Sequence, residues 1–232
     1  MEAPIEIYQL GVQLFGVSIV LLAVLSIFLI KPYRPIYLFM LAIPSIAAVA
    51  YLLMANEIGF IAVDGHPVNT VRYADWVVTT PMLLYILGTF LIPDSKTKQG
   101  DILRLVINDV LMIIFGFVAN LMTSPYLKYG AFAISSVFYF MVINMLLTHM
   151  FRSEGTAKTE QGYKIILLMS WALLVLWSLY PAVWIFGIKG NGLIDASSQS
   201  GLFLALDLAA KVGYSGLLLW FLRIRGKKDV GD

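Results

Sequence analysis

The sequence predicts an all-α membrane protein, a seven-transmembrane helix bundle with an extracellular N-terminus and a cytoplasmic C-terminus. Three observations carry that prediction. Of the 232 residues, 60% are hydrophobic and only 13% are charged, against about 25% charged in soluble domains. The apolar residues fall into seven continuous runs, each close to the ~20 residues an α-helix needs to cross hydrocarbon. Of the 16 Lys and Arg residues, 12 fall on one side of the alternating connectors, the bias that orients helical membrane proteins. A membrane β-barrel is excluded, because its strands are alternating segments of about ten residues and these runs are unbroken.

The first span, Tyr8 to Ile30, follows MEAPIEIYQL. That start is acidic and lacks the basic segment and small-residue cleavage site of a signal peptide, so the span is expected to be retained. The second span runs from Ile36 to Ile58 after Lys31-Pro32, and the third from Arg72 to Ile92 after Asp64-Gly65. Pro93-Asp94 separates the third from the fourth, Asp101 to Met122, and Ser124-Pro125 separates that from the fifth, Tyr126 to Met150. The sixth, Tyr163 to Gly187, follows the longest polar loop, and Gly190-Asn191-Gly192 leads into the seventh, Gln199 to Leu222. Such Pro, Gly, Asn and Asp clusters punctuate helices. Residues 1–232 therefore form one domain, with a short basic cytoplasmic tail at 223–232.

Lys31, Arg34, Lys96, Lys98, Arg104, Arg152, Lys158, Lys164, Arg223, Arg225, Lys227 and Lys228 share one side; Lys128 and Lys189 fall on the other. That asymmetry places the RIRGKK tail in the cytoplasm, where it orients the chain and also favours anionic lipid. The net charge of +2 sits in loops, which gives no argument for nucleic acid. With no cysteine there is no disulfide or thiolate metal site. His66 and His149 lie near span ends and far apart, so they read as interfacial polar residues and no metal is expected.

The remaining charges lie inside the spans. Lys211 is deep in the apolar run from Gly201 to Phe221, with Asp207 one turn before it, and the third span opens Arg72-Tyr73-Ala74-Asp75-Trp76. A charge at mid-bilayer costs roughly 2.5–3.5 kcal/mol even on lenient insertion scales, so each is a functional-site candidate. Arg72, Asp75 and Thr79 fall near one helical stripe. Two cations and two carboxylates cancel pairwise, and the bland alternative is an ion-pair network that only fixes helix packing. Lysine amines also form Schiff bases with carbonyl compounds. Asp109, in the fourth span, has no basic neighbour in its helix; it is expected to be a buried protonated carboxyl that donates a hydrogen bond. Trp177, Tyr180 and Trp184 stand at i, i+3 and i+7 on the sixth span, with Pro181 as a kink. Together with Trp76, Phe132 and Tyr139 they suit a long apolar ligand held between helices.

RYADWVVTTP in the third span, QGDILRLVINDVLMIIFG in the fourth, LWSLYPAVW in the sixth and LDLAAKVG in the seventh together resemble the microbial (type 1) rhodopsins, over almost the whole chain. The resemblance implies all-trans retinal covalently bound to Lys211 as a protonated Schiff base, in a photoprotein rather than an enzyme. It implies Asp75 as proton acceptor and primary counter-ion, Asp207 as second counter-ion and Arg72 as extracellular gate. It implies a pocket of Tyr51, Trp76, Thr79, Thr80, Leu83, Met112, Gly116, Phe132, Ser135, Tyr139, Trp177, Tyr180, Pro181, Trp184 and Ala210, with Tyr51 beside the second counter-ion.

Departures from the efficient pumps of the family bear on function. The cytoplasmic proton-donor position, eleven residues and about 16 Å beyond Asp75, is Ile86, which cannot store a proton. The extracellular release glutamates of bacteriorhodopsin are replaced by Lys189 and Gln199, leaving Asp195 as a local substitute. An apolar donor position is shared with sensory rhodopsin II, but the threonine and tyrosine that mark that receptor are Ala210 and Ala205 here. Asp75 disfavours chloride pumping, and Asp75 with Thr79 disfavours sodium pumping. The expectation is light-driven outward proton translocation with a slow photocycle. The alternative is a photosensory receptor signalling to a membrane transducer, and a retinal-free bundle is the third reading. Lipid and protons are the expected partners, with a transducer or a homo-oligomer compatible with the sequence.

Overall fold

The computed structural model describes residues 4–27, 34–92, 95–152 and 160–228. The helices are α1 (Ile5–Ser26), α2 (Arg34–Ala55), α3 (Thr70–Leu91), α4 (Lys98–Leu121), α5 (Pro125–Arg152) and α6 (Glu160–Phe186). The seventh span is α7 (Ala196–Asp207), a π-helical segment (Leu208–Gly213) and α8 (Tyr214–Lys228) in one continuous run. All seven expected spans are present as helices long and apolar enough to cross a membrane. An odd number of spans puts the two ends of the chain on opposite faces.

Helix formation here needs little beyond hydrocarbon, because a backbone without water must satisfy its hydrogen bonds internally. Pro44, Pro81 and Pro181 sit inside continuous helices; neighbouring spans make such breaks tolerable in a bundle. The outward faces carry exposed Val17, Val20, Leu38, Val137 and Phe140, which water would penalise and lipid does not.

The structure differs from the expected organisation at several points: the first helix ends at Ser26, with the expected end at Ile30 outside the described residues, and the expected tail is helical from Arg223 to Lys228. The second span stops at Ala55, short of Ile58, because Glu57 and Gly59 take positive φ of 57° and 80° and turn the chain. The connector then forms an antiparallel hairpin, β1 (Phe60–Val63) and β2 (His66–Asn69), with Phe60 opposite Asn69 and Val63 opposite His66. Asp64 and Gly65 supply the two positive φ angles, 52° and 73°, that a tight two-residue turn demands. The hairpin delivers Asn69 as the N-cap of α3, its side chain accepting a hydrogen bond from the Arg72 backbone N–H at 3.0 Å. A cap of this kind fixes where the helix begins, and so fixes the register of every functional residue on α3.

The interior divides along the bundle axis. Toward the extracellular side, α1, α2 and α7 pack around Tyr8, Phe15, Tyr51 and Leu204. Gly11 permits this, since a Cβ there would collide with the Tyr51 ring. Toward the cytoplasmic side, Leu83, Ile86, Leu87, Leu91, Leu105, Leu173 and Leu218 belong to one large apolar cluster. Arg72, Asp75, Trp76, Thr79, Leu83, Ile86 and Leu87 are all buried, a spacing of three and four that describes one inward face of α3.

Candidate functional site

Four charges meet where α3 and the seventh span face each other: Arg72, Asp75, Asp207 and Lys211, exposed by only 4%, 3%, 0% and 1%. The Lys211 ammonium forms a short ion pair with Asp75 and lies 3.4 Å from Asp207 Oδ1. Spacing along the chain pointed first to Asp207, one turn away; the tighter partner comes from the neighbouring helix. Arg72 Nη1 lies 3.8 Å from Asp207 Oδ2 and donates to the Tyr51 hydroxyl at 3.4 Å. Its guanidinium sits among aromatic rings, 5.0 Å from the centroid of Phe203 and 5.7 Å from that of Tyr51, where ring quadrupoles favour a cation. The formal charges sum to zero, which makes burial of all four tolerable.

The two carboxylates are not equivalent. Asp207 accepts hydrogen bonds from the Tyr51 hydroxyl at 2.9 Å, the Trp76 indole at 3.0 Å and the Tyr180 hydroxyl at 2.9 Å. A proton arriving there must displace a donor. Asp75 has one neutral partner, Thr79, whose single hydroxyl hydrogen is shared between the Asp75 carbonyl at 2.8 Å and Oδ1 at 3.3 Å. Its other oxygen faces Lys211, so a proton moved from the lysine nitrogen to Asp75 dissolves the ion pair and strands no donor.

Trp76 and Tyr180 join this cluster to an apolar cavity between α3, α4, α5, α6 and α7. Thr80, Met112, Gly116, Phe132, Ser135, Tyr139, Trp177, Pro181 and Trp184 line it as expected. Four expected pocket residues lie elsewhere. Tyr51 and Thr79 hold the carboxylates, Ala210 is buried beside Lys211 in the π-helical segment, and Leu83 is buried in the cytoplasmic apolar cluster. Tyr73, Ile113, Ser136 and Phe203 also line the cavity and were missed. Helical spacing contained the signal, since they stand three or four residues from Trp76, Gly116, Phe132 and Asp207.

The residues present fit retinal. The cavity is apolar, Phe132 stacks on Trp184 at 4.4 Å with an interplanar angle of 10°, and a Cβ on Gly116 would project toward the Ser135 hydroxyl and the Tyr73 ring. Lys211 stands one hydrogen-bonding step behind the wall, sharing Asp207 with Trp76 and Tyr180.

Asp109 lies 2.7 Å from the Thr80 hydroxyl, which is also 2.8 Å from the Trp76 carbonyl. Thr80 has one hydrogen for two acceptors. The Thr80 hydroxyl is the donor to both Asp109 Oδ2 and the Trp76 carbonyl, and the other Asp109 oxygen is buried without a hydrogen-bond partner.

Extracellular of Arg72, a second pocket, more polar than the first, is lined by Tyr8, His66, Asn69, Asn120, Lys189 and Ser200 among others, with no carboxylate among its described lining residues. Lys189 donates to the Val63 carbonyl at 2.7 Å and Gln199 accepts from the Ile188 N–H at 3.3 Å; both positions tie loops together. Burial holds the Lys189 ammonium below its ordinary pKa. Asp195, the expected release substitute, is the exposed N-cap of α7, accepting from the Ser198 N–H and hydroxyl. Those bonds, the backbone one first, hold its carboxyl below the usual range. His149 sits near the end of α5, far from His66 on β2, and no cluster of metal-binding side chains is present among the described residues.

A model of the bacteriorhodopsin-like protein family matches residues 4–226. Sensory rhodopsin-2 of Haloarcula vallismortis is 33% identical over 186 residues, covering 80% of this chain and 77% of the relative. Bacteriorhodopsin-II of Haloarcula marismortui is 30% identical over 233 residues, covering 93% and 91%. The solved structure of thermophilic rhodopsin from Rubrobacter xylanophilus superposes with a TM-score of 0.89 at 31% identity, covering 95% and 96%. A buried lysine beside two unlike carboxylates, an apolar cavity reaching them, and these matches together place the chain in the bacteriorhodopsin-like family of retinal-binding, light-activated membrane proteins.

Proposed function

We propose that the protein is a light-driven outward proton translocator with a slow return step. The carrying observation is the Lys211–Asp75 ion pair, with Asp75 three residues along α3 from Arg72, which lines the second pocket. All-trans retinal, attached covalently through Lys211, supplies the photochemistry that changes where the nitrogen's proton points and how firmly it is held. Asp75 takes that proton, because its facing oxygen is engaged only by the lysine. Asp207 keeps its three neutral donors throughout and remains the fixed negative charge. Arg72, tethered to Tyr51 and Asp207, bars direct return from the extracellular pocket. The protein is in this reading a photoprotein and not an enzyme, with lipid and protons as its partners.

Return is slow because Ile86 is buried in hydrocarbon where a carboxyl donor would stand. In oriented vesicles holding the retinal-loaded protein, illumination is expected to acidify the compartment facing the extracellular side, with protonophore abolishing the signal. No light-dependent pH change would remove the proposal.

A sensory role is the second reading, favoured by Ile86 and by the likeness to a sensory rhodopsin. It requires a membrane transducer that reads movement at the cytoplasmic ends of α6 and α8. Ala205 and Ala210 argue against the known receptor interface. A rapid photocycle insensitive to azide would count against it.

A further inference from the structure

The proton that leaves Lys211 must be replaced from the cytoplasmic side, and the wall it crosses is hydrocarbon. The buried cytoplasmic apolar cluster is aliphatic, Met and Phe apart from Trp177 and Tyr214, and the buried hydroxyls next to its members in sequence, Ser170 and Ser215, donate to backbone carbonyls. Tyr214 is 2% exposed, and its hydroxyl is buried without a hydrogen-bond partner. Leaving a buried hydroxyl unpaired is costly, and a phenylalanine would fill the same space without that cost.

Its height in the bundle matters. Spans three and seven run in the same direction, and the Trp76–Asp207 hydrogen bond marks a shared level. At 1.5 Å per residue, Lys211 is about 6 Å beyond that level, Tyr214 about 10 Å and Ile86 about 15 Å. Tyr214 therefore stands between the lysine and the vacant donor level. Neighbouring hydroxyls have their hydrogens committed to backbone: Ser215 donates to the Lys211 carbonyl at 2.7 Å and Thr89 to the Ile86 carbonyl at 2.6 Å. The Tyr214 hydrogen is uncommitted.

We propose that the Tyr214 hydroxyl is the relay through which a proton returns from the cytoplasmic side to the Lys211 nitrogen, by way of internal water that it hydrogen-bonds. A hydroxyl both accepts and donates. Its oxygen takes a proton from a water on the Ile86 side as its own hydrogen passes to a water on the Lys211 side. The tyrosine ends neutral and unchanged, and one proton has advanced. Tyr214 is in this sense a positioning residue for water, and no redox partner is needed. The inference rests on light-driven deprotonation of Lys211, and on the outward-transport reading only in the direction of flow.

The test compares full-length wild type with Tyr214→Phe by flash photolysis and by thermal unfolding of the retinal-free protein. In the variant, the absorption band and the rate of deprotonation should be unchanged. Return of the proton should slow by about tenfold or more, as loss of a proton-transfer group implies, and azide, a small acid carrying its own proton, should restore it. The retinal-free variant should unfold at the same temperature as wild type or below it, because a water-bonded hydroxyl is lost. A return rate unchanged from wild type would overturn the proposal. So would a raised unfolding temperature, the signature of removing a hydroxyl that had no partner at all. Absence of light-driven pH change in wild-type vesicles would remove the transport reading and leave this comparison readable, since a sensor's lysine also loses and regains its proton.

Discussion

The extracellular and cytoplasmic halves of the bundle are built from different chemistry. On the extracellular side of Lys211, hydrogen bonds and charges run almost continuously, from Asp75 and Asp207 through Tyr51 and Arg72 to the polar pocket beneath the hairpin. On the cytoplasmic side, Leu83, Leu84, Ile86, Leu87 and Leu91 of α3 share one apolar cluster with Leu218 and Leu222 of α8. A proton released from the lysine finds an acceptor at once on one side and hydrocarbon on the other. In the proposed translocation this distribution of polar groups would set the direction, with departure easy and replacement slow.

The strongest way to break the comparison is to remove the group at its midpoint. Lys211→Ala should abolish the visible absorption band formed on adding retinal, a complete loss read in a spectrophotometer. Asp75→Asn, which keeps shape but removes the acceptor charge, should eliminate light-driven acidification and move the band to longer wavelength; an unmoved band would contradict the counter-ion assignment. Ile86→Asp tests the dry half directly. A proton donor there should speed the return step by roughly 10²-fold or more, the usual worth of a placed general acid, with flash photolysis as the readout. Thr80→Val is expected to leave transport direction alone and to destabilise the protein by about 1–3 kcal/mol, because Asp109 loses its partner; denaturation midpoints measure it.

The smallest effect belongs to the periphery. Asp195 caps α7, and its folded carboxyl titrates below the unfolded one. The cap's contribution is therefore present above the ordinary carboxylate range and lost as pH falls through the depressed value. Asp195→Ala should lower the unfolding temperature slightly at neutral pH and not at strongly acidic pH. Its photocycle should match wild type, since Asp195 lies outside the polar pocket.

The seven spans were legible because membrane helices announce themselves by length and composition alone. The hairpin was not: its strands are four residues each, and Pro67 falls inside β2, which argues against a strand in a sequence. Only the Asp64-Gly65 turn showed. The π-helical segment around Lys211 was equally hidden, since LAAKVG has no pattern that separates one helical winding from another. At the site, charges in apolar runs exposed Arg72, Asp75, Asp207 and Lys211 one by one. Spacing alone sees Asp207 beside Lys211 and cannot see Asp75 across the interface; only the family resemblance pointed to Asp75 as the primary counter-ion. The hydroxyl of Tyr214 shows the same limit, its oddity being invisible until its surroundings prove to be hydrocarbon.

The central claim is that the Lys211 proton passes to Asp75 and leaves on the extracellular side. Time-resolved infrared spectroscopy of oriented vesicles, with a pH indicator outside, tests it in one measurement. The account predicts that a protonated-carboxyl band rises as the lysine nitrogen loses its proton, that Asp75→Asn removes this band, and that external acidification follows. A carboxyl band that survives in Asp75→Asn and vanishes in Asp207→Asn, or acidification of the opposite compartment, would contradict it.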